Sequence, residues 1–180
     1  AVSSGLAAAA LGTDTGGSVR IPASFDGLVG LKPTFGRVSN AGVVPLDSTL
    51  DSVGPMARSV GDAALLYDVI RGPDGEDAAT LDQPIEGPSD DLNLDLTGVR
   101  LCVPREYFWE DVDTETEAAV RATAQVFAEL GANVDEISLE PLDRLIEMRQ
   151  RSAAAGLTVG TLSSVETCMH FGAELDARYE

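Results

Sequence analysis

A serine preceded by two glycines, at Gly16-Gly17-Ser18, is the part of the sequence best suited to chemistry. Because glycine has no Cβ, the backbone N–H groups around it can turn toward one point. A serine beside such donors can attack a carbonyl carbon while the N–H groups hold the negative oxygen, and each donor typically lowers the barrier by ~3 kcal/mol. The stretch therefore predicts acyl transfer through Ser18, at the expected start of a helix.

The same glycines are also compatible with a phosphate-binding loop or with a loop that is merely structural. A Walker-type loop requires a lysine directly after the glycines, whereas here Val19 and Arg20 follow the serine. The GxGxxG spacing of a dinucleotide fingerprint is absent as well. Acyl transfer and a structural loop are therefore the two alternatives that the residues leave open.

Three motifs in order make the sequence more specific than the glycine pair alone. They lie at residues 12–25 (GTDTGGSVRIPASF), 30–39 (GLKPTFGRVS) and 50–60 (LDSVGPMARSV). Together they resemble the amidase-signature family, and the matching block spans residues 1 to about 70. The resemblance implies an α/β fold, with a mixed sheet flanked by helices, of which this chain is expected to hold an incomplete part.

The resemblance also implies a Ser–cis-Ser–Lys mechanism. The family's nucleophile falls on Ser18, and its oxyanion-hole backbone donors fall on Thr15, Gly16 and Gly17, together with Ser18 itself. The bridging cis-serine and the lysine of the family are expected upstream of this chain. We therefore expect the complete protein to be an amidase and residues 1–180 alone to be inactive.

Three functions are compatible with these motifs. The first is a free-standing amidase that hydrolyses a carbon–nitrogen bond in a small-molecule amide, which residues 42–46 and 104–108 favour. The second is the A subunit of a glutamyl-tRNA(Gln) or aspartyl-tRNA(Asn) amidotransferase, which works with partner subunits. The third, of a different class, is a non-catalytic acidic binding module. The sequence identifies neither the amide substrate nor the oligomeric state, and a homo-oligomer is one of the alternatives.

Other reactive residue types are weaker candidates. Lys32 could act as a base in a Ser–Lys pair, but its place in a Gly-Leu-Lys-Pro-Thr motif favours a structural role. Asp14 and Arg20 flank the serine and are expected to pair and brace the loop. His170, the single histidine, lies in a tail without a motif, so a Ser-His-Asp triad is not expected.

No metal or organic cofactor is expected. The carboxylates Glu110, Asp111 and Asp113 indicate a solvated entrance to a helix, and Asp26 stands where the family often has cysteine. The two cysteines, Cys102 and Cys168, have no CxxC spacing, so neither a disulfide framework nor a zinc site is indicated. Cys102 lies in an apolar run and is predicted to be a buried free thiol.

The charge of the chain disfavours one class of partner. Thirty acidic residues against 12 basic ones give a formal net charge of −18, which disfavours direct nucleic acid binding. The acids are spread along the sequence and Lys32 is its only lysine, so a surface adapted to high salt is favoured over a docking patch. No apolar run approaches the ~20 residues of a membrane span, and a cytoplasmic protein is expected.

The elements that must position Ser18 are predicted from short-range patterns. Short extended segments are expected at residues 28–31, 43–45 and 53–56. A helix capped by Ser59 with Asp62 three positions later should end at Gly72-Pro73. Its apolar stripe consists of Ala63, Leu66, Tyr67 and Ile70.

A strand–helix–strand unit follows. Strands are predicted at 99–103 and 133–137, and between them a helix begins with a capping box at Thr114 and Glu117 and ends at Gly131. Short joints of this kind predict a right-handed parallel crossover. The inner face of the helix is expected to hold Val120, Ala124 and Phe127.

The whole chain is interpreted as one partial domain, 1–180. Its predicted parts are a signature core at 1–70, an exposed connection at 74–97, the strand–helix–strand unit at 98–140 and a mostly helical tail at 141–180.

Overall fold

The computed structural model describes residues 1–80, 95–105 and 108–138. Contacts divide the chain into two compact units, whose described parts are residues 1–80 and residues 95–105 with 108–138. The tail predicted at 141–180, with Cys168 and His170, lies outside the described residues, as does most of the connection predicted at 74–97. The single partial domain stays a prediction.

The first unit is built on a three-stranded antiparallel sheet. Its strands are β1 (Ala9–Asp14), β2 (Val29–Gly30) and β3 (Ser52–Ala57), in the order β1-β3-β2. The strands predicted at 28–31 and 53–56 are confirmed, whereas residues 43–45 form no strand. The sequence did not indicate β1, because its alanine and glycine content is poor in β-formers.

Two helices pack in the first unit. Helix α1 (Arg20–Phe25) follows β1, and helix α2 (Val60–Ile70) follows β3. The predicted cap of α2 is confirmed, since the Ser59 hydroxyl accepts the Asp62 backbone N–H at 3.1 Å. The predicted stripe is the less exposed side of α2, with Ala63 buried and its other members half-buried. A 3-10 turn at Ala78–Thr80 ends the described part of this unit.

Small side chains let the backbones of the first unit approach closely. Gly30 on β2 shows this, because a Cβ at this position would lie 2.7 Å from the Ala23 Cβ and 2.8 Å from the Val19 carbonyl oxygen. Both Val19 and Ala23 are buried, as is Ala57 on β3. Val19 and α1, which follow Ser18 in the chain, are therefore packed closely against β2.

The second unit contains β4 (Arg100–Pro104), α3 (Thr114–Glu129) and β5 (Asn133–Ile137). Strands β4 and β5 pair in parallel, with Arg100 opposite Asn133, so the predicted parallel crossover and the α/β class are confirmed. No helix in the described ranges is long and apolar enough to cross a membrane.

Two details of the second unit differ from the sequence prediction. Helix α3 is capped one residue earlier than predicted, because the Asp113 carboxylate accepts the N–H groups of Glu115 at 2.9 Å and Thr116 at 3.3 Å. Its predicted inner face is also not buried, since Val120 is 52% exposed and Phe127 39% exposed.

Candidate active site

Ser18 lies in the turn between β1 and α1, and its side chain is exposed. The chain leaves β1 at Asp14 and enters α1 at Arg20, so the turn is short. Within it, Gly17 has φ of 140°, and a Cβ there would lie 2.6 Å from Ile21 Cδ1. Only glycine fits that position, which explains physically why a glycine stands directly before the serine.

Asp14 holds the turn from inside. Its carboxylate accepts the backbone N–H groups of Gly17 at 2.6 Å, Val19 at 3.2 Å and Arg20 at 3.3 Å. These amides lie on both sides of Ser18, so one buried carboxylate fixes the main chain before and after the serine. The Ser18 side chain itself is left facing solvent.

Arg20 also binds the Asp14 carboxylate, through an ion pair with two hydrogen bonds. Its Nε donates to Asp14 Oδ2 at 3.0 Å and its Nη2 to Oδ1 at 3.1 Å. The Asp14 side chain is fully buried, whereas the Arg20 side chain is 52% exposed. The pairing expected from the sequence is thus confirmed.

The ion pair and the hydrogen bonds around Asp14 shift the pKa of both Asp14 and Arg20. Burial alone raises the pKa of Asp14, but the hydrogen bonds from the Arg20 side chain and from the amides of Arg20 and Val19 outweigh it and lower that pKa from 3.8 to about 2. The hydrogen bond to Asp14 raises the pKa of Arg20 above its ordinary value. The carboxylate is therefore charged at neutral pH and acts as a fixed acceptor.

The backbone N–H groups of the turn differ in whether they are free to bind a substrate oxygen. The Gly17 amide donates to Asp14, so it can reach another acceptor only by sharing its hydrogen. Within the described ranges, the amides of Gly16 and Ser18 form no hydrogen bond, and neither does the Ser18 hydroxyl. A Cβ at Gly16 would meet nothing within 4 Å, and the residue is exposed.

Lys32 contacts other groups. Its Nζ donates to the Pro33 carbonyl oxygen at 2.7 Å and reaches Ser52 Oγ at 3.5 Å. Among the hydrogen bonds of the described residues, none joins Lys32 to Ser18. This arrangement favours the structural role that the motif indicated for Lys32.

Asp51 is a buried carboxylate that the sequence did not single out. It is 4% exposed and accepts the hydroxyl of Thr15, a neighbour of the glycine pair. It also accepts the N–H groups of Leu46 at 2.8 Å and Asp47 at 3.0 Å. The signals in the sequence were its place in the third motif, at 50–60, and its position immediately before a buried strand.

The remaining candidates lie apart from any such network. Asp26, Glu110 and Asp111 are exposed, and Asp113 caps α3. The part of the chain that the structure describes holds no cluster of three or more His, Cys, Asp or Glu arranged to bind a metal ion. The prediction that Cys102 is buried is wrong, because its side chain points to the face of β4 opposite the half-buried Leu101 and Val103.

Known proteins match the sequence over most of its length. The family model described as Amidase matches residues 1–165. The A subunit of glutamyl-tRNA(Gln) amidotransferase from Myxococcus xanthus is 52% identical over 130 residues, which cover 72% of this chain and 27% of the relative.

Solved structures share the fold. The A subunit of glutamyl-tRNA(Gln) amidotransferase from Thermotoga maritima has a TM-score of 0.71 and 30% identity, covering 98% of this chain and 40% of that one. Native peptide amidase from Stenotrophomonas maltophilia has a TM-score of 0.67 and 35% identity, covering 77% of this chain and 29% of that one. The chain thus spans well under half the length of these proteins. Since the family model covers most of the sequence and the solved structures share its fold, the chain belongs to the amidase family.

Proposed function

We propose that the complete protein hydrolyses a carbon–nitrogen amide bond through an acyl-enzyme on Ser18. The observation that carries this proposal is the turn held by Asp14, which leaves the Ser18 hydroxyl exposed beside amides without partners in the described ranges. A fixed turn of this kind suits catalysis because its donors need no reorganisation as charge develops on the substrate.

The proposed reaction has two steps. Ser18 Oγ gives its proton to a base and bonds to the carbonyl carbon, whose oxygen becomes negative; the C–N bond then breaks as the amine leaves with the proton that the base returns. Water next attacks the acyl-enzyme and releases the acid. We assign the oxyanion to backbone donors at Thr15, Gly16 and Gly17 together with Ser18, with Gly17 contributing through a hydrogen that it shares with Asp14.

Ser18 also needs a base. Within the described ranges no group hydrogen-bonds its hydroxyl, so we assign this role to the cis-serine and lysine implied by the family, outside residues 1–180. No metal or organic cofactor takes part in this proposal. We expect the 180 residues alone to show no useful hydrolysis.

The test is covalent labelling of the complete gene product with a fluorophosphonate, followed by peptide mass spectrometry. We expect the adduct on Ser18, and amide hydrolysis lowered by about 10⁴-fold or more in Ser18→Ala. Ser24→Ala is the matched control, because Ser24 is also exposed and lies on the neighbouring helix α1. A folded protein with no adduct on Ser18 would favour the non-catalytic binding module instead.

A second candidate is the A subunit of a tRNA-dependent amidotransferase. The 52% identity to a relative of that name favours it, against 35% to a solved peptide amidase. The segments 42–46 and 104–108 keep the free-standing amidase as our first proposal. Glutamine hydrolysis that depends on co-purifying subunits would identify the second candidate, whereas turnover of simple amides by the isolated protein would identify the first.

The proposal extends to the surroundings of the protein. We propose a cytoplasmic enzyme that acts on a small-molecule amide; a homo-oligomer is one alternative for its assembly, and a complex with partner subunits is the alternative for the second candidate. The net charge of −18 suits a surface adapted to high salt. Activity that persists as KCl rises to molar concentrations would support this, and precipitation there would count against it.

A further inference from the structure

The side chain of Asp51 joins two segments that are far apart in the sequence. Its Oδ1 accepts the Thr15 hydroxyl, from a residue 36 positions away. Its Oδ2 accepts the backbone N–H groups of Leu46 and Asp47. One carboxylate therefore ties the segment before β3 to the turn that carries Ser18.

The backbone of Asp51 is itself fixed. Asp51 directly precedes β3, whose first residue, Ser52, pairs with Asp14 at the end of β1. The Asn40 Nδ2 donates to the Asp51 carbonyl oxygen at 2.8 Å. Because its main chain is held by the sheet on one side and by Asn40 on the other, the carboxylate meets Thr15 in one position.

Thr15 is consequently restrained from two directions. Its neighbour Asp14 fixes the amides on both sides of Ser18, and Asp51 fixes the Thr15 side chain. Between these anchors lies Gly16, whose amide has no partner within the described ranges and which packs against nothing on its Cα side. Without the Asp51 contact, the Thr15 side chain would lose its anchor, and Gly16 would be restrained on that side by the main chain alone.

We propose that Asp51 is a positioning residue for the nucleophile turn, acting through the Thr15 hydroxyl to hold the Gly16 and Ser18 amides in place for the oxyanion. This inference rests on the proposed function, which supplies the oxyanion. Asp51 does not touch the reacting atoms; it restrains the segment that does. Displacing such donors by about 1 Å costs on the order of 100-fold in rate.

The chain offers substitutions that separate this role from general loop stability. Thr15→Val removes the hydroxyl that reaches Asp51, and Thr15→Ser keeps it. Thr49→Val is the matched control, because the Thr49 hydroxyl donates at 2.7 Å to Asp47, within its own turn. Asp51→Ala removes both carboxylate oxygens, so the Thr15 contact and the contacts to the Leu46 and Asp47 amides are all lost.

The experiment uses the complete gene product and measures the rate constant for Ser18 phosphonylation together with kcat and KM for an amide. We expect Thr15→Val and Asp51→Ala each to lower the phosphonylation rate constant and kcat by about 10- to 100-fold, with KM little changed. Thr15→Ser should recover most of the loss and Thr49→Val should match the wild type. The double variant Thr15→Val with Asp51→Ala should lose no more than the worse single variant.

Three outcomes would overturn the proposal: wild-type rates in Thr15→Val, an equal loss in Thr49→Val, or losses that multiply in the double variant. If the wild-type protein forms no adduct on Ser18, the proposed function fails and hydrogen exchange then decides about Asp51. Faster exchange at residues 15–18 in Thr15→Val, but not in Thr49→Val, supports the restraint. Unchanged exchange overturns it.

Discussion

The turn before α1 and the start of α3 use the same device, an aspartate that accepts backbone amide hydrogens, in different surroundings. Asp14 is fully buried, accepts three amides and pairs with Arg20. Asp113 is exposed and accepts two amides at the first turn of a helix. Burial should therefore decide what each carboxylate contributes, because buried amides that lose an acceptor cannot turn to water.

Replacing the buried Asp14 should destabilise the protein more than replacing the exposed Asp113. In Asp14→Ala the buried amides of Gly17 and Val19 lose their acceptor, and we expect the first unit to lose about 3 kcal/mol. Asp113→Ala is the control and should cost the second unit about 1 kcal/mol, as for an ordinary helix cap. Hydrogen exchange of residues 9–57 and 114–129 in the complete gene product measures both losses. Equal losses would show that burial does not distinguish the two sites.

The two glycines of the turn sharpen the contrast further. Gly17→Ala places a Cβ at positive φ and 2.6 Å from Ile21, so we expect a loss of about 2 kcal/mol. Gly16→Ala meets open space and should change stability by less than about 0.5 kcal/mol. Urea titration of both variants tests this. A loss in Gly16→Ala as large as that in Gly17→Ala would contradict the geometry of the turn.

Lowering the pH should reduce the stability that the charged Asp14 carboxylate gives to the folded state. Its pKa is about 2 when folded and 3.8 ordinarily, so its charge stabilises the folded state above about pH 4, and this contribution is lost as the pH falls through about 2. The contribution is at most about 2 kcal/mol, since water screens the half-exposed Arg20. Urea midpoints of the wild type and Asp14→Asn should therefore converge between about pH 5 and about pH 2. A constant difference would show that Asp14 does not titrate as described.

Local patterns were sufficient for much of this molecule. Ser59 capping α2 and the β4–α3–β5 crossover depend on residues close in sequence, and the structure confirms both. The pairing of Asp14 with Arg20 was also accessible, because the two residues flank the same turn. The position of Ser18 in a turn followed from the glycines, since positive φ at Gly17 needs that residue type.

Features that depend on residues distant in the sequence could not be predicted from it. The contact between Thr15 and Asp51 requires the register that pairs Asp14 with Ser52, and β1 has no alternation from which to predict it. Exposure of Cys102 depends on which face of β4 is covered, and that of Phe127 on what lies opposite α3. In each case the residue type was visible in the sequence, and its neighbours were not.

Asp14 is expected to hold Ser18 in place for acyl transfer. The most direct test is the rate constant for Ser18 phosphonylation in the complete gene product that carries Asp14→Asn. We expect a folded protein that labels at least about 100-fold more slowly than the wild type, because an asparagine cannot accept every hydrogen that the carboxylate accepts. Ser24→Ala should label at the wild-type rate. Labelling of Ser18 in Asp14→Asn at the wild-type rate would contradict this role for the buried carboxylate.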